Sequence, residues 1–223
     1  MINDTKTKIW EIAKVLFITI VLQQVFDAIF AFVLNAYHNK TMGVDFQIIR
    51  EYGILLELLF FVILLLYIYN KKFSLWTDPI IFFREEKIKC IKDMLTICIS
   101  IIIINNLVHI LLPEDILMDY LETEEVLINK NSWISFISAV IVGPVYEEIA
   151  YRGCVFNIIK KEYGVYAGIL ISSLLWALMH PSLFQGITMF FVGLLLSWYY
   201  NKYENLWIVI IPHVANNLLS FCF

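Results

Sequence analysis

Residues 133–159 read WISFISAVIVGPVYEEIAYRGCVFNII. The stretch is apolar over most of its length, yet it carries Glu147, Glu148 and Arg152. An α-helix needs about 20 apolar residues to cross a bilayer, so this run is long enough. A charge at the centre of such a helix costs about 2.5–3.5 kcal/mol even on a lenient insertion scale. The three charged residues therefore need partners or a task. The apolar length sets the fold class, and the charges mark the first place to look for a site.

Similar runs occur at 9–36, 52–70, 92–112, 163–180, 184–200 and 206–222. With 133–159 they predict an all-α, polytopic membrane helix bundle of about seven transmembrane helices. The run 9–36 exceeds a signal-peptide core and holds Gln23, Gln24 and Asp27, so it reads as a retained helix. The last three runs are short for spanning helices. Composition agrees with a lipid setting. The 223 residues are 61% hydrophobic and only 16% charged, against about 25% charged in ordinary soluble domains. Mean hydropathy is +0.77. A secreted disulfide scaffold, a disordered chain and a nucleic-acid-binding module are excluded, and a net charge of −4 suggests no polyanionic partner. Cys90, Cys98, Cys154 and Cys222 form no C-x-x-C pair and read as small hydrophobes.

Charge signs along the loops give an orientation. Lys6 and Lys8, then Lys71, Lys72, Arg84, Lys87 and Lys89, then Lys160 and Lys161, then Lys202 fall on one side of a seven-span bundle. The segment 113–132 is acidic and falls on the other. A multi-pass cell-membrane protein with a cytoplasmic N-terminus satisfies this pattern. The segment 73–90 mixes aromatic and basic residues and reads as interfacial. Two regions follow: N-terminal helices over 1–132 with that interfacial segment, and a four-helix core over 133–223.

Other ionisable residues also lie inside apolar runs. Asp27, Glu57 and His109 each suit an interhelical hydrogen bond, with Gln23 and Asn105 as helical neighbours of Asp27 and His109. Glu148 and Arg152 are four apart, acid first, the favoured order for an ion pair on one helix face. Glu147 is rotated about 100° from Glu148 and points elsewhere. Pro144, just before it, removes a helix hydrogen bond and frees the Val140 carbonyl. An ion-paired packing motif and a functional carboxylate both fit this segment.

His180 precedes Pro181 and sits at an expected helix end, on a stripe with Gly164, Gly168, Ser172 and Trp176. It suits an interface histidine or a catalyst. His213 follows Pro212, and Asn217 lies four residues on. That pair suits a helix cross-link or two neutral donors for a developing oxyanion. Together, a carboxylate, two imidazoles and an amide from three helices can activate water at a carbonyl without an acyl-enzyme step.

The segments Glu147-Glu148-x-x-x-Arg152, Trp176-x-x-x-His180 and His213-x-x-x-Asn217 resemble, in order, the three motifs of the CPBP intramembrane proteases. These are CAAX-processing and bacteriocin-processing enzymes, also called the Abi family. The resemblance covers about 133–222. It implies a glutamic endopeptidase acting within the bilayer on membrane-associated peptides or protein tails. In that reading Glu147 and His180 activate water, and His213 and Asn217 hold the oxyanion. Glu148, Arg152 and Trp176 give structural support. Trp176 departs from the family's usual Phe, which bears on pocket shape. The resemblance implies no cofactor. One Glu and two His also form a possible zinc ligand set, but the tight H-E-x-x-H spacing is missing. Two other functions compete. One is a non-proteolytic membrane partner, such as a bacteriocin-immunity factor or a regulator of a membrane sensor. The other is a transporter with Glu57, His109 and Glu147 as a proton path, against which no inverted repeat is visible.

Overall fold

The computed structural model describes residues 46–73, 87–127 and 132–222, with short pieces between 10 and 33. Asp27, most of the run 9–36 and residues 74–86 of the interfacial segment lie outside the described residues. Seven main helices follow in order among the described residues. They are α1 (Phe46–Phe73), α2 (Lys87–Leu111), α3 (Glu114–Leu127), α4 (Trp133–Tyr163), α5 (Val165–Leu178), α6 (Leu183–Tyr203) and α7 (Trp207–Cys222). No strand occurs among the described residues.

Four of them, α1, α2, α4 and α6, are long and apolar enough to cross a membrane. α5 and α7 are shorter apolar helices. Six of the seven apolar runs therefore became helices at nearly the expected limits, and the chain is a multi-pass membrane protein. The acidic segment 113–132, read from sequence only as an external connection, forms α3 over most of its length. Glu114 and Asp115 lie in its first turn, where the positive helix end favours acids.

α4 runs through the middle of the bundle and packs on α1, α5, α6 and α7. All nine residues from Glu148 to Phe156 are buried. Ser132 opens α4: its hydroxyl accepts from the Ser135 amide at 3.4 Å and donates to Glu51 of α1. Two stretches of α4, Ile137–Val142 and Glu148–Phe156, are wide-turned π-helix. Such turns concentrate at functional sites. The first of them absorbs Pro144. Gly143 donates its N–H to Ser138, five residues back rather than four. In that register the carbonyl facing the N–H-less proline belongs to Ala139. The expectation that Val140 would be freed assumed an ordinary α-helix. A Cβ on Gly143 would lie 2.9 Å from the Ser138 carbonyl oxygen, so this turn requires glycine.

Gly164 turns the chain from α4 into α5 with φ of 86°, a left-handed conformation that favours glycine. It is a corner residue rather than part of the α5 stripe. The rest of that stripe packs as expected. Gly168 accepts the ring of Phe156, and Ser172 meets Ser197 of α6 at 3.2 Å. α5 and α6 form a close antiparallel pair. Fourteen residues of α5 rise about 21 Å, well short of the roughly 30 Å hydrocarbon core.

Basic residues from three helices gather at one end. Lys202 pairs with Asp93 at 2.5 Å, Lys160 pairs with Glu204 at 2.7 Å, and Lys89 lies over the Tyr203 ring. Lys89, Lys160 and Lys202, three of the loop lysines expected on one side, thus share one end.

The tightest point of the α5–α6 seam is Gly193, where an added Cβ would sit 2.8 Å from the Ser173 Cβ. Gly193→Ala should lower stability by about 1–3 kcal/mol through overpacking. Gly186→Ala, whose Cβ would meet only the Ala177 carbonyl at 3.3 Å, should change it much less. Thermal unfolding of both purified variants in detergent, compared with the wild type, checks this difference.

Candidate active site

Glu148 lies at the centre of the bundle with no exposed side-chain surface. Its Oε1 accepts from Arg152 Nη1 at 3.2 Å and contacts His213 Nδ1 at 2.8 Å. Arg152, also fully buried, lays its guanidinium on the Trp176 ring, 4.1 Å from the centroid. The expected ion pair is thus present, and a histidine from α7 joins it. With Glu148 ionised against Arg152, His213 Nδ1 carries the proton and donates. The other nitrogen, Nε2, then faces Glu147 Oε2 at 3.7 Å.

Glu147 keeps 27% of its side-chain surface exposed and lines a cavity of about 300 Å³. Trp176 Nε1 donates to its Oε2 at 2.8 Å. The two adjacent carboxylates therefore have separate environments, one buried in a charge cluster and one open to the cavity. Trp176 spans both, through its ring to Arg152 and its N–H to Glu147. Its ring also meets His180 and His213 edge-on, each 5.4 Å away by centroids. The sequence marked Trp176 as support for His180, and nothing in the spacing disclosed its bond to Glu147.

His180 lies in the connection after α5, whose last residue is Leu178. Its Nδ1 is 2.9 Å from the Trp176 carbonyl. A carbonyl only accepts, so Nδ1 carries the hydrogen and Nε2 presents a lone pair. His180 lines the same cavity as Glu147.

Asn217 lines that cavity as well. Its Nδ2 donates to the Ala139 carbonyl at 2.9 Å, the group left opposite Pro144. Each Nδ2 carries two hydrogens, so one remains for another acceptor. His213 is buried behind Glu147 and does not line the cavity. Gly143, Ser135 and Ser138 of α4, Tyr120 and Thr123 of α3, and Gln185 of α6 also line it. Among these the spacing analysis flagged none, because a lone Ser or Gln in an apolar run carries no pattern. Among the described residues no three His, Cys, Asp or Glu side chains are grouped to hold a metal ion.

Glu57 is buried in α1, whereas His109 is exposed. The interhelical bond expected near His109 is made by its neighbour instead, Asn105 Nδ2 to Asn216 Oδ1 at 3.2 Å.

Arg152→Met leaves Glu148 buried without its cation. Breaking a buried pair from one side typically costs about 3–5 kcal/mol. The variant should show a strongly reduced folded fraction in membranes, read by thermal aggregation or detergent-resistant yield.

Residues 129–219, which contain all three motifs, match the family model described as "Type II CAAX prenyl endopeptidase Rce1-like". A Bacillus subtilis (strain 168) protein named "Putative membrane peptidase YdiL" is 26% identical over 84 residues, 38% of this chain and 34% of that protein. The chain thus spans about a third of the length of this curated relative. No solved structure matches the chain. Over residues 129–219, where its three motifs lie, the chain is thus similar to the Rce1-like type II CAAX prenyl endopeptidases.

Proposed function

We propose that the chain is an intramembrane endopeptidase that cleaves membrane-associated peptides or protein tails with a water molecule. One observation carries this reading. Glu147 opens to the cavity shared with His180 and Asn217, while its neighbour Glu148 is neutralised inside the bundle. A carboxylate that shares a cavity with an imidazole can act with it as a general-base pair for water.

In this mechanism the substrate carbonyl sits in the cavity between Glu147 and Asn217. His180 Nε2 and Glu147 orient a water molecule by accepting its hydrogens. The water oxygen attacks the carbonyl carbon, and Glu147 takes the released proton. The carbonyl oxygen becomes an oxyanion, held by the spare N–H of Asn217. His213 Nε2 adds a donor only when the ring carries a second proton, since Nδ1 serves Glu148. The tetrahedral species then breaks its C–N bond. Glu147 returns the proton to the leaving nitrogen, so acid and base are one group used twice. The reaction as proposed needs no metal. In the same reading the basic end of the bundle faces the cytoplasm.

The reading is tested with protein reconstituted in lipid vesicles containing a panel of quenched-fluorescence membrane peptides. Glu147→Gln and His180→Ala should each lower the cleavage rate by about 10²–10⁴-fold, the usual worth of a positioned acid or base. The wild type should keep its rate in EDTA. Cleavage by Glu147→Gln at the wild-type rate would overturn the mechanism.

Trp176→Phe separates packing from the bond to Glu147. It keeps a ring over Arg152 and deletes the N–H. Hydrogen bonds to charged groups contribute about 1.5–3 kcal/mol. The variant should fold normally and lose about tenfold or somewhat more in rate, without falling to the level of Glu147→Gln. The same vesicle assay reads this.

A further inference from the structure

A second cavity of about 330 Å³ adjoins the first. Both are lined by Tyr120, Ala139, Gln185 and Asn217, so the two chambers share a wall. The second chamber has a distinct chemistry. Asn105, Asn106 and His109 face it from α2, Gln185 from α6, and Asn216 and Asn217 from α7. No Asp, Glu, Lys or Arg lines it among the described residues. Five carboxamides around one chamber are costly inside an apolar bundle unless they hydrogen-bond.

Some of that bonding is internal and directional. Asn105 Nδ2 donates to Asn216 Oδ1 at 3.2 Å, Asn216 Nδ2 to Asn217 Oδ1 at 3.4 Å, and Asn217 Nδ2 to the Ala139 carbonyl at 2.9 Å. This relay ties α2 to α7 and α4. Each amide in it uses one hydrogen of its Nδ2, and the second is left over among the described residues. One wall is apolar: Tyr120 and Phe184 stack with centroids 5.0 Å apart.

We propose that this chamber is a substrate subsite that binds an uncharged stretch of extended peptide next to the bond being cut, and rejects acidic stretches. The proposal rests on the peptidase reading above. A peptide backbone offers alternating donors and acceptors, which carboxamides match in both roles. The volume falls in the usual range for ligand sites, about 300–1,000 Å³. A carboxylate placed here meets neutral dipoles and no cation, and an unpaired charge in such a setting is strongly disfavoured. Specificity then comes from the α2 face, outside the three motifs.

The test uses two dansyl-labelled, end-capped decapeptides, (Asn-Ala)5 and its isosteric counterpart (Asp-Ala)5. Binding to wild-type protein in phosphatidylcholine nanodiscs is read by dansyl fluorescence, with empty nanodiscs subtracted. The wild type should bind the Asn peptide at least tenfold more tightly than the Asp peptide. Asn106→Leu with His109→Leu should reduce that ratio below threefold. Both residues are exposed on α2, and leucine suits an apolar helix, so the fold should persist. Gln185→Leu, on a different helix, should act in the same direction. Unchanged discrimination in both variants overturns the subsite, and so does absence of binding to the wild type. Cleavage of the Asn peptide is followed in the same samples. Selective binding without cleavage supports the subsite and counts against the peptidase reading. Cleavage with unchanged discrimination in the variants overturns the subsite alone.

Discussion

Two neighbouring carboxylates inside an apolar helix cannot share one environment. Side by side in a poor dielectric they would repel each other and each would lack solvent. The bundle separates them by helical rotation. Glu148 turns inward to Arg152 and His213, and Glu147 turns to the cavity and Trp176. Once Glu148 is neutralised, Glu147 is the carboxylate that remains accessible. Arg152 does not line the cavity. It makes it possible for a second acid to be present at all.

The backbone of α4 contributes as much as its side chains. Proline near the centre of a spanning helix would ordinarily kink it. Here one wide turn, with Gly143 reaching back to Ser138, takes up the extra residue. The orphan carbonyl moves to Ala139, and Asn217 from α7 bonds to it. The hydrogen bond that proline removes from α4 is thereby replaced by one between helices. It also holds the Asn217 amide at the cavity wall. A straight α4 would leave Asn217 without this partner.

Apolar periodicity made most of the fold legible. The limits of α1, α2, α4, α6 and α7 lie close to those read from the runs, because lipid-facing helices are long and uninterrupted. α3 was missed because its acidic residues mask its helical character in a hydropathy reading. The site was legible as three pairs at four-residue spacing. Their convergence was not, because spacing within one helix says nothing of how helices meet. The structure places Glu147 and His180 on one cavity. α5 ends at Leu178, and His180, two residues on, lines the cavity of Glu147. The π turns were also beyond reach of pattern reading, since no residue spacing announces a five-residue register. The amide relay from Asn105 to Ala139 is a long-range contact for which a single sequence carries no signal.

The four-residue spacing in each motif has a common physical reason. It puts two side chains on one helix face; in the second and third motifs one anchors and the other is presented, and in the first the pair anchors itself while Glu147 beside it is presented. Arg152 anchors Glu148, and the turn between them leaves Glu147 to the cavity. Trp176 binds Glu147 and Arg152, and its carbonyl sets the proton on His180. His213 binds Glu148, and Asn217, one turn on, reaches the cavity. Every anchor meets the α4 cluster, and every presented group faces the same recess. The three helices are therefore registered against each other by buried polar bonds, which in a lipid setting are costly to leave unmade. That registration, rather than apolar packing alone, fixes the relative depth of the three groups.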